Sequence, residues 1–570
     1  MTAVSKRWQE RFFDRGRITQ LSQALPCLPL IASVLVRRGL TDAAAAQDFL
    51  SARLNSLPDP ALLPDLIPAV QRLDAAVRKG EKIGVHGDYD VDGISGTALL
   101  VESLRLFGAE VEYHIPLRMQ DGYGLSGDAL RRAAASGCRL VLTVDCGVSA
   151  LAEAQMAKEL GLDLIITDHH QPPATLPECL ALVNPHLAGN QFPWPDLAGV
   201  GVAFFLLLGL RRQLRESGWF AQRPEPDLRQ SLDLVALGTI ADMVPLGGIN
   251  RVLVRYGLQL LDQSQRPGIV ALKKVAAVSK VSCGTVGFRL APRLNAAGRL
   301  EDAALGVQLL LGEGDGSLHE LASHLDCCNR ERQQIEEQTL NQAIAAVESG
   351  QGGDFSLVLA SEGWHAGVIG IVASRLVERY HRPTVMIALE DGVGKGSARS
   401  IRGFHLFEAL QQAAANLKSF GGHAAAAGLS LPAENLDGFR RDFEQVAAAS
   451  LSPEDLLPLL EHDGEVTLDE LSLPVVRQLA ELAPFGIGNP QPAFVARRLE
   501  ILRPQIVGQK HLRFSVRAAG TTHACIAFGM AERIAQLSGS VDLLFRPDIN
   551  SFRGQDSVQL QVVDFRATGD

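Results

Sequence analysis

The sequence lacks a long apolar run. Its most apolar stretch, GVGVAFFLLLGL at 199–210, stops at Arg211 and Arg212, too short to span a bilayer and suited to a buried helix. The opening MTAVSKRWQERFFDRGR has no apolar run behind its basic residues, so it does not resemble a secretory signal. CxxC pairs are also missing. The eight cysteines, Cys27, Cys138, Cys146, Cys179, Cys283, Cys327, Cys328 and Cys525, follow no periodic framework. In so long a chain this reads as buried thiols of a reducing compartment and not as zinc ligands or disulfides. The expectation is a cytoplasmic protein with no membrane partner. Excess positive charge is lacking as well, with a formal net charge of −10, which argues against broad nonspecific affinity for nucleic acid. The charge is uneven, however: residues 1–80 hold eleven basic residues against seven acids, and 301–350 hold ten acids against two arginines. Arginines gathered in one groove would still bind a polyanion.

What is present is the balance of a folded chain, 46% hydrophobic and 21% charged over 570 residues, too long for one core and enough for three to five domains. From about residue 80, short apolar runs alternate with helical segments. KIGVHG, AEVEYHIP, RLVLTVDCG and DLIITDHH read as strands, separated by stretches such as SGTALLVESLRLFG and SALAEAQMAKELG. That rhythm predicts βαβ units and a parallel sheet, whose ligands gather at the carboxyl ends of the strands.

Chemistry-bearing residues fall at those ends. GVHGDYDVDG at 84–93 places Asp88, Asp90 and Asp92 at every second position after His86; on an extended chain these side chains would share one face. In isolation a solvated acidic turn explains such a segment. Asp145 closes a second strand in VDCG, and Asp168, His169 and His170 close a third in TDHH. Three strands ending in carboxylate or histidine favour a divalent-cation site over helix caps. Asp242, after the apolar helix SLDLVALGTI, would alone be a helix-end residue.

HGDYDVDG, VDCG, TDHH and GTIADMVPL, in that order, resemble the four motifs of the DHH phosphoesterase superfamily, and with the later motifs they resemble its single-strand-specific exonuclease branch. The resemblance runs from roughly residue 75 to the end. It implies a two-metal Mn²⁺ or Mg²⁺ site for phosphodiester hydrolysis. Asp88, Asp90, Asp92, Asp145, His169 and Asp242 are carried over as ligands, with Asp145 bridging. His86 is a further candidate ligand, because related phosphatases use a histidine near that place, although Asp88 could supply the same coordination. His170, with Asp168, takes the catalytic role of stabilising the scissile phosphate or protonating the leaving oxygen. A second metal ligand or a packed imidazole is the alternative for His170.

FRLAPRLNAAGRL carries Arg289, Arg293 and Arg299 around a small-residue turn, and guanidinium forks suit phosphate oxygens. SLHELASHLDCCNRERQQIEEQTLNQAIAAVESG is helical in period and free of proline; it resembles the helix joining the two catalytic halves in this superfamily. Strand–helix alternation then resumes, and GGHAAAAG, holding Gly421, Gly422 and His423, resembles the signature of the DHH-associated domain. Its small residues would let a backbone approach an anion, near His365, Ser397 and Arg399. A tight packing turn is the alternative.

From about residue 465, segments such as FVARRLEILRPQIVG, HLRFSVRAAG, THACIAFG, VDLLFRP and DSVQLQVVDFRA read as five or so strands, suited to an OB-like barrel that binds single strands. Its Phe494, Phe514 and Phe552 are taken as core, so no stacking residue is assigned.

The fold class is therefore α/β. An N-terminal helical segment (1–75) precedes a parallel-sheet DHH catalytic domain (76–312) and a connecting helix (313–350). A second α/β, DHH-associated domain (351–460) and the OB-like domain (461–570) follow. The implied activity is degradation of single-stranded DNA from a 5′ end to mononucleotides, in repair and recombination. A pocket of Arg118, Arg299, Ser397 and Arg399, with Arg293 nearby, would hold the terminal phosphate, Arg299 and Arg399 coming from opposite halves of the molecule. A monomer is expected, with a helicase and a single-strand binding protein as partners. The rival readings are a small-oligonucleotide or cyclic-dinucleotide phosphodiesterase and a non-enzymatic single-strand binding protein.

Overall fold

The computed structural model describes residues 6–117, 124–313 and 316–569. The chain divides into two compact units. One holds residues 9–294, 303–322 and 461–570, and the other holds 1–8, 295–302 and 323–460.

The larger unit is built on five parallel strands: β1 (Lys82–Gly87), β2 (Glu110–His114), β3 (Leu140–Val144), β4 (Asp163–Thr167) and β5 (Ala181–Val183). Their order across the sheet is β2-β1-β3-β4-β5. β1 and β3 therefore flank the switch point at which a doubly wound sheet reverses direction and binds its ligand. β3 is buried throughout, which is why LVLTV reads as a continuous apolar run and not as an alternating one.

The helices that matter to the site are Val91–Phe107, Gly199–Glu216 and Leu232–Ala241. The apolar stretch at 199–210 lies in the second of these, nearly all of it buried. Arg266 ties the first helix to the third: its Nη1 lies 2.7 Å from Glu102 Oε1 and its Nε 3.0 Å from Asp233 Oδ2. This ion network fixes the helix whose first turn carries Asp92 against the helix that ends at Asp242. Among the described residues no helix is long and apolar enough to cross a membrane.

The same unit contains a closed barrel. Its strands are Phe494–Val507, His511–Ala518, Thr521–Ala527, Ser540–Phe552 and Gln555–Ala567, the third and fifth pairing in parallel. Phe494, Phe514, Phe545 and Phe565 fill it, and Leu21, Ile31 and Leu35 of the N-terminal helices join the same core. The basic, motif-free N-terminal segment is thus a packing partner of the barrel. Phe552 departs from its expected core position: it lies at the tip of a hairpin and is 66% exposed, because the strand pair outruns the barrel wall there.

In the smaller unit a mixed sheet contains Leu357–Glu362, Thr384–Glu390, Val393–Arg399, Ser419–Gly422 and Ala426–Pro432. The first two strands are parallel and the remaining neighbours antiparallel. The proline-free helix Leu318–Glu348 packs Ile335, Leu340 and Ala343 against this sheet's Leu357 and Leu359.

Candidate metal centre

The acidic residues converge, though not for the reason their alternation suggests. β1 ends at Gly87, so Asp88–Asp92 are not on a strand. Asp90 is the N-cap of the helix Val91–Phe107, accepting hydrogen bonds from the Asp92 and Gly93 amides, and Asp92 is already helical. A turn entering a helix, and not a pleated face, gathers the three carboxylates.

Three overlapping sets of donor atoms result, each within 4.8 Å: Asp88, Asp90 and Asp145; Asp92, His169 and Asp242; and Asp145, His169 and His170. Asp145, at the end of β3, is shared by the first and third. It occupies the left-handed region at φ 64°, a conformation that costs a non-glycine residue energy and is held only by surrounding structure. His169 Nε2 lies 3.1 Å from Asp145 Oδ1, 3.6 Å from Asp242 Oδ2 and 3.9 Å from Asp92 Oδ2.

Backbone groups brace this centre. Asp92 Oδ2 accepts from the Gly199 amide at 2.6 Å and Oδ1 from the Val200 amide at 3.0 Å, so Asp92 receives the N-terminus of the Gly199–Glu216 helix. A Cβ at Gly199 would fall 2.6 Å from Asp145 Cβ, and one at Gly238 2.7 Å from Asp92 Oδ1. Asn184 Nδ2 donates to the His170 carbonyl at 2.9 Å. Sequence reasoning missed Gly199, Gly238 and Asn184. The glycines sit in apolar text that reads only as buried helix, and nothing marks Asn184.

Electrostatics follow from crowding. Burial, then Asp92, Asp90, Asp88 and Asp242, push the Asp145 carboxyl well above the ordinary carboxylate range. Burial followed by Asp242 and Asp90 does the same to Asp92, against its two amide donors. Burial and Asp90 raise Asp242 to about 7. Burial, then the neighbouring His170, lower His169 to about 4, leaving a neutral imidazole able to ligate. For His170 burial acts downward, but the Asp168 hydrogen bond and charge prevail and raise it to about 9.

Asp168 stands apart from the donor sets. It accepts from the amides of Val148, His169 and His170 and pairs with His170 Nδ1 at 2.7 Å. It orients His170 and the loop before it. His86 is also apart: it is buried, its Nε2 lies 3.1 Å from the Gly124 carbonyl, and its ring is 5.3 Å from His114. It enters none of the three sets, because its strand position precedes the turn.

The donor chemistry fits hard divalent cations: oxygen-rich, with a neutral imidazole. Asp242 Oδ2 and His169 Nε2 are buried without a hydrogen-bond partner among the described residues, as acceptors awaiting a cation would be.

In the smaller unit a second constellation forms. Arg299 Nη1 donates to the Gly367 carbonyl at 2.9 Å. Arg399 Nη1 donates to Ser397 Oγ at 3.2 Å and to the Ala398 carbonyl at 2.8 Å. Gly370 adjoins Ser397 and Arg399, and Gly367 adjoins Arg299 and His365. Arg299 therefore belongs to the same compact unit as Arg399, not to the opposite half, since residues 295–302 cluster with 323–460. Gly421 pairs with Gly428, and Gly428 with Ser397, in one row across the sheet. Gly422 ends the strand of Gly421 and His423 follows it, both exposed. Arg293 remains with the larger unit, donating to the Arg289 carbonyl. Arg118 lies outside the described residues.

A parallel sheet with carboxylates and histidine at its switch point, a glycine-rich α/β domain and a closed barrel together define a metal-dependent phosphoesterase with a nucleic-acid-binding module. Family models agree: the DHH family N-terminal domain matches residues 82–239, the DHHA1 domain 353–449, and the RecJ OB domain 462–564. The chain is 40% identical to the single-stranded-DNA-specific exonuclease RecJ of Dickeya dadantii (strain 3937), over 95% of this chain and 96% of that protein. It is 37% identical to the RecJ of Bacillus subtilis (strain 168), over 99% of this chain and 71% of that one. The crystal structure of RecJ from Thermus thermophilus in complex with Mn²⁺ superposes with a TM-score of 0.84 at 32% identity, covering 99% of this chain and 80% of that one. The chain belongs to the RecJ family of single-stranded-DNA-specific exonucleases.

Proposed function

We propose that the protein hydrolyses single-stranded DNA from a 5′ end, releasing mononucleotides, with Mn²⁺ or Mg²⁺ held by Asp88, Asp90, Asp92, Asp145, His169 and Asp242. The observation that carries this reading is the sharing of Asp145 between two donor sets, as expected of a carboxylate lying between two cations. When bound, the cations supply Lewis acidity and charge neutralisation at the phosphodiester.

The chain's own residues do the rest. Asp92 is oriented by two amides, which spares its ligand geometry any reorganisation. His169 is presented neutral. His170, raised to about 9, carries a proton at neutral pH, with Nδ1 on Asp168; its Nε2 is then the atom to donate to a phosphate or leaving oxygen. Arg299, Ser397 and Arg399 would hold a 5′-phosphate, since guanidinium and hydroxyl donors suit its oxygens. The barrel supplies a surface for the trailing strand, which a phosphodiesterase confined to dinucleotides has no use for. Repair and recombination in the cytoplasm, by a monomer working with a helicase and a single-strand binding protein, are the setting this activity suits.

Digestion of end-labelled single- and double-stranded oligonucleotides with Mn²⁺, Mg²⁺ or chelator tests the reading. The expected result is mononucleotide release from 5′ ends of single strands only, abolished by chelator. Release from 3′ ends, or turnover restricted to dinucleotides, would overturn it.

A further inference from the structure

Outside the acidic centre, the smaller unit holds another group of metal-ligating side chains. Glu301, His324 and Cys328 place a carboxylate oxygen, an imidazole nitrogen and a sulfur within 4.8 Å of one another. His324 and Cys328 are four residues apart on the helix Leu318–Glu348, so they share one face. Glu301 comes from the other side, just beyond the helix Ala291–Leu300. His324 Nε2 lies 2.7 Å from Glu301 Oε2 and 3.7 Å from Cys328 Sγ.

We infer that Glu301, His324 and Cys328 form a zinc-class metal site, separate from the acidic centre, that pins the segment carrying Arg299 to the long helix. The donor set decides the metal. A thiolate and an imidazole suit Zn²⁺ and its neighbours, whereas Mg²⁺ and Mn²⁺ favour carboxylate-rich sets such as the one beside β3. Three protein donors leave a fourth tetrahedral position open.

The spacing fits as well. Bonds of about 2.0–2.1 Å to nitrogen and about 2.3 Å to sulfur hold those two atoms roughly 3.6 Å apart in a tetrahedron, against 3.7 Å here. The carboxylate lies closer to the nitrogen than two ligands of one ion would, so Glu301 must swing outward. It is exposed at the end of its helix and can do so by side-chain rotation.

An ordinary surface ion pair between Glu301 and His324 would not explain the third member. Cys328 is only 3% exposed, yet it faces this charged pair, while its neighbour Cys327 is exposed. Burial and then the Glu301 charge push the Cys328 thiol up to about 12. A cation would relieve that repulsion and hold the thiolate. The absence of a CxxC pattern predicts that the cysteines ligate nothing; here the partners of Cys328 are a histidine one helical turn away and a carboxylate from another segment.

The test uses the full chain, stripped with chelator, supplied with saturating Mn²⁺ to fill the acidic centre, and titrated with Zn²⁺ or Co²⁺. The expected result is one tight equivalent of Zn²⁺ more in the wild type than in His324→Ala or Cys328→Ser, since any Zn²⁺ that replaces Mn²⁺ in the acidic centre is common to all three. The Co²⁺ form should show a thiolate charge-transfer band that disappears in Cys328→Ser and persists in Cys146→Ser, whose thiol lies next to the acidic centre. His324 is half exposed, so its variant remains a folded test even if Cys328→Ser destabilises the helix. Equal Zn²⁺ binding by wild type and His324→Ala, or a band that follows Cys146, would overturn the proposal.

Discussion

The acidic centre and the Arg299–Arg399 cluster handle charge in opposite ways. Around Asp145, like charges are packed together, buried, and braced by backbone amides and by glycines that admit no side chain. Around Arg399, partly exposed guanidinium groups lean on carbonyls and a serine hydroxyl in a setting of small residues. The first arrangement is rigid and electrostatically costly until cations arrive; the second is half-buried and already hydrogen-bonded to neutral acceptors. Crowded, braced carboxylates suit a site where geometry sets the rate, and half-buried guanidinium donors suit the anion site proposed above. Breaking either should therefore produce different signatures.

The largest effect should come from Asp145→Ala. Removing the carboxylate shared by two donor sets should abolish cleavage, a loss beyond the roughly 10²–10³-fold of a single electrostatic contact. Thermal melting of the chelated protein should nevertheless rise, because a buried, repelled carboxylate has gone. Near-normal turnover at saturating Mn²⁺ would sink the shared-ligand assignment. A melting temperature that falls would show that Asp145 also supports the fold.

Next in size is His170→Ala. A positioned proton donor contributes about 10²–10⁴-fold, so turnover should fall by that order while metal content, measured by elemental analysis, stays at the wild-type level. Loss of a metal equivalent would move His170 from proton donor to ligand. The comparison with Asp145→Ala then separates residues that hold cations from those that act beside them.

These assignments are legible in the sequence to unequal degrees. The parallel sheet largely is, since four of its five strands read as apolar runs separated by helical stretches and three of them end at a carboxylate or histidine; Ala181–Val183, three residues long, leaves no such signal. The membership of the donor sets is legible too, because carboxylates and histidines after several strands have few other uses. The geometry behind it is not. Alternation of Asp88, Asp90 and Asp92 suggests an extended face, but an N-cap does the gathering, and alternate spacing alone cannot distinguish a strand from a turn into a helix. His86 illustrates the converse. One residue before the strand ends, it shares the motif but lies against Gly124 and His114. Arg299 falls in the half opposite to the one its sequence position implies, because compact units need not follow sequence order and a short segment has joined the later one.

Arg399→Ala probes the half-buried constellation. Charge-assisted contacts contribute roughly 1.5–3 kcal/mol each, equivalent to about 10- to 150-fold in affinity. Binding and cleavage of 5′-phosphorylated single strands should weaken by that factor, and 5′-hydroxyl strands should barely respond. The measurement is a double difference, wild type and mutant on both ends. Equal losses would show that Arg399 follows the backbone or supports the sheet, and the contrast between a rigid centre and an anion site would fail.

The smallest effect is expected at the barrel, where the same residue type plays two roles. Phe514 is buried in the barrel core, whereas Phe552 is 66% exposed. It ends a hairpin whose turn residues Arg553 and Gly554 both have positive φ, as a type I′ turn requires. The Arg553 guanidinium lies 5.3 Å from the Phe552 ring centroid. A ring and a cation at an exposed tip form a platform on which a base of any identity can stack. At an exposed edge the low end of the range applies, about 1 kcal/mol, or roughly fivefold in affinity. Phe552→Ala should therefore weaken binding of long single strands about fivefold by fluorescence anisotropy. Its effect on stability should stay within about 0.5 kcal/mol, as for most surface changes. Phe514→Ala should cost about 3–5 kcal/mol of stability through the cavity it leaves. Short strands that reach the metal centre without touching the hairpin should be cleaved by Phe552→Ala at the wild-type rate. If Phe552→Ala lowers the melting temperature as far as Phe514→Ala does, the ring is structural after all. If it changes neither stability nor affinity, the trailing strand takes another path across the barrel.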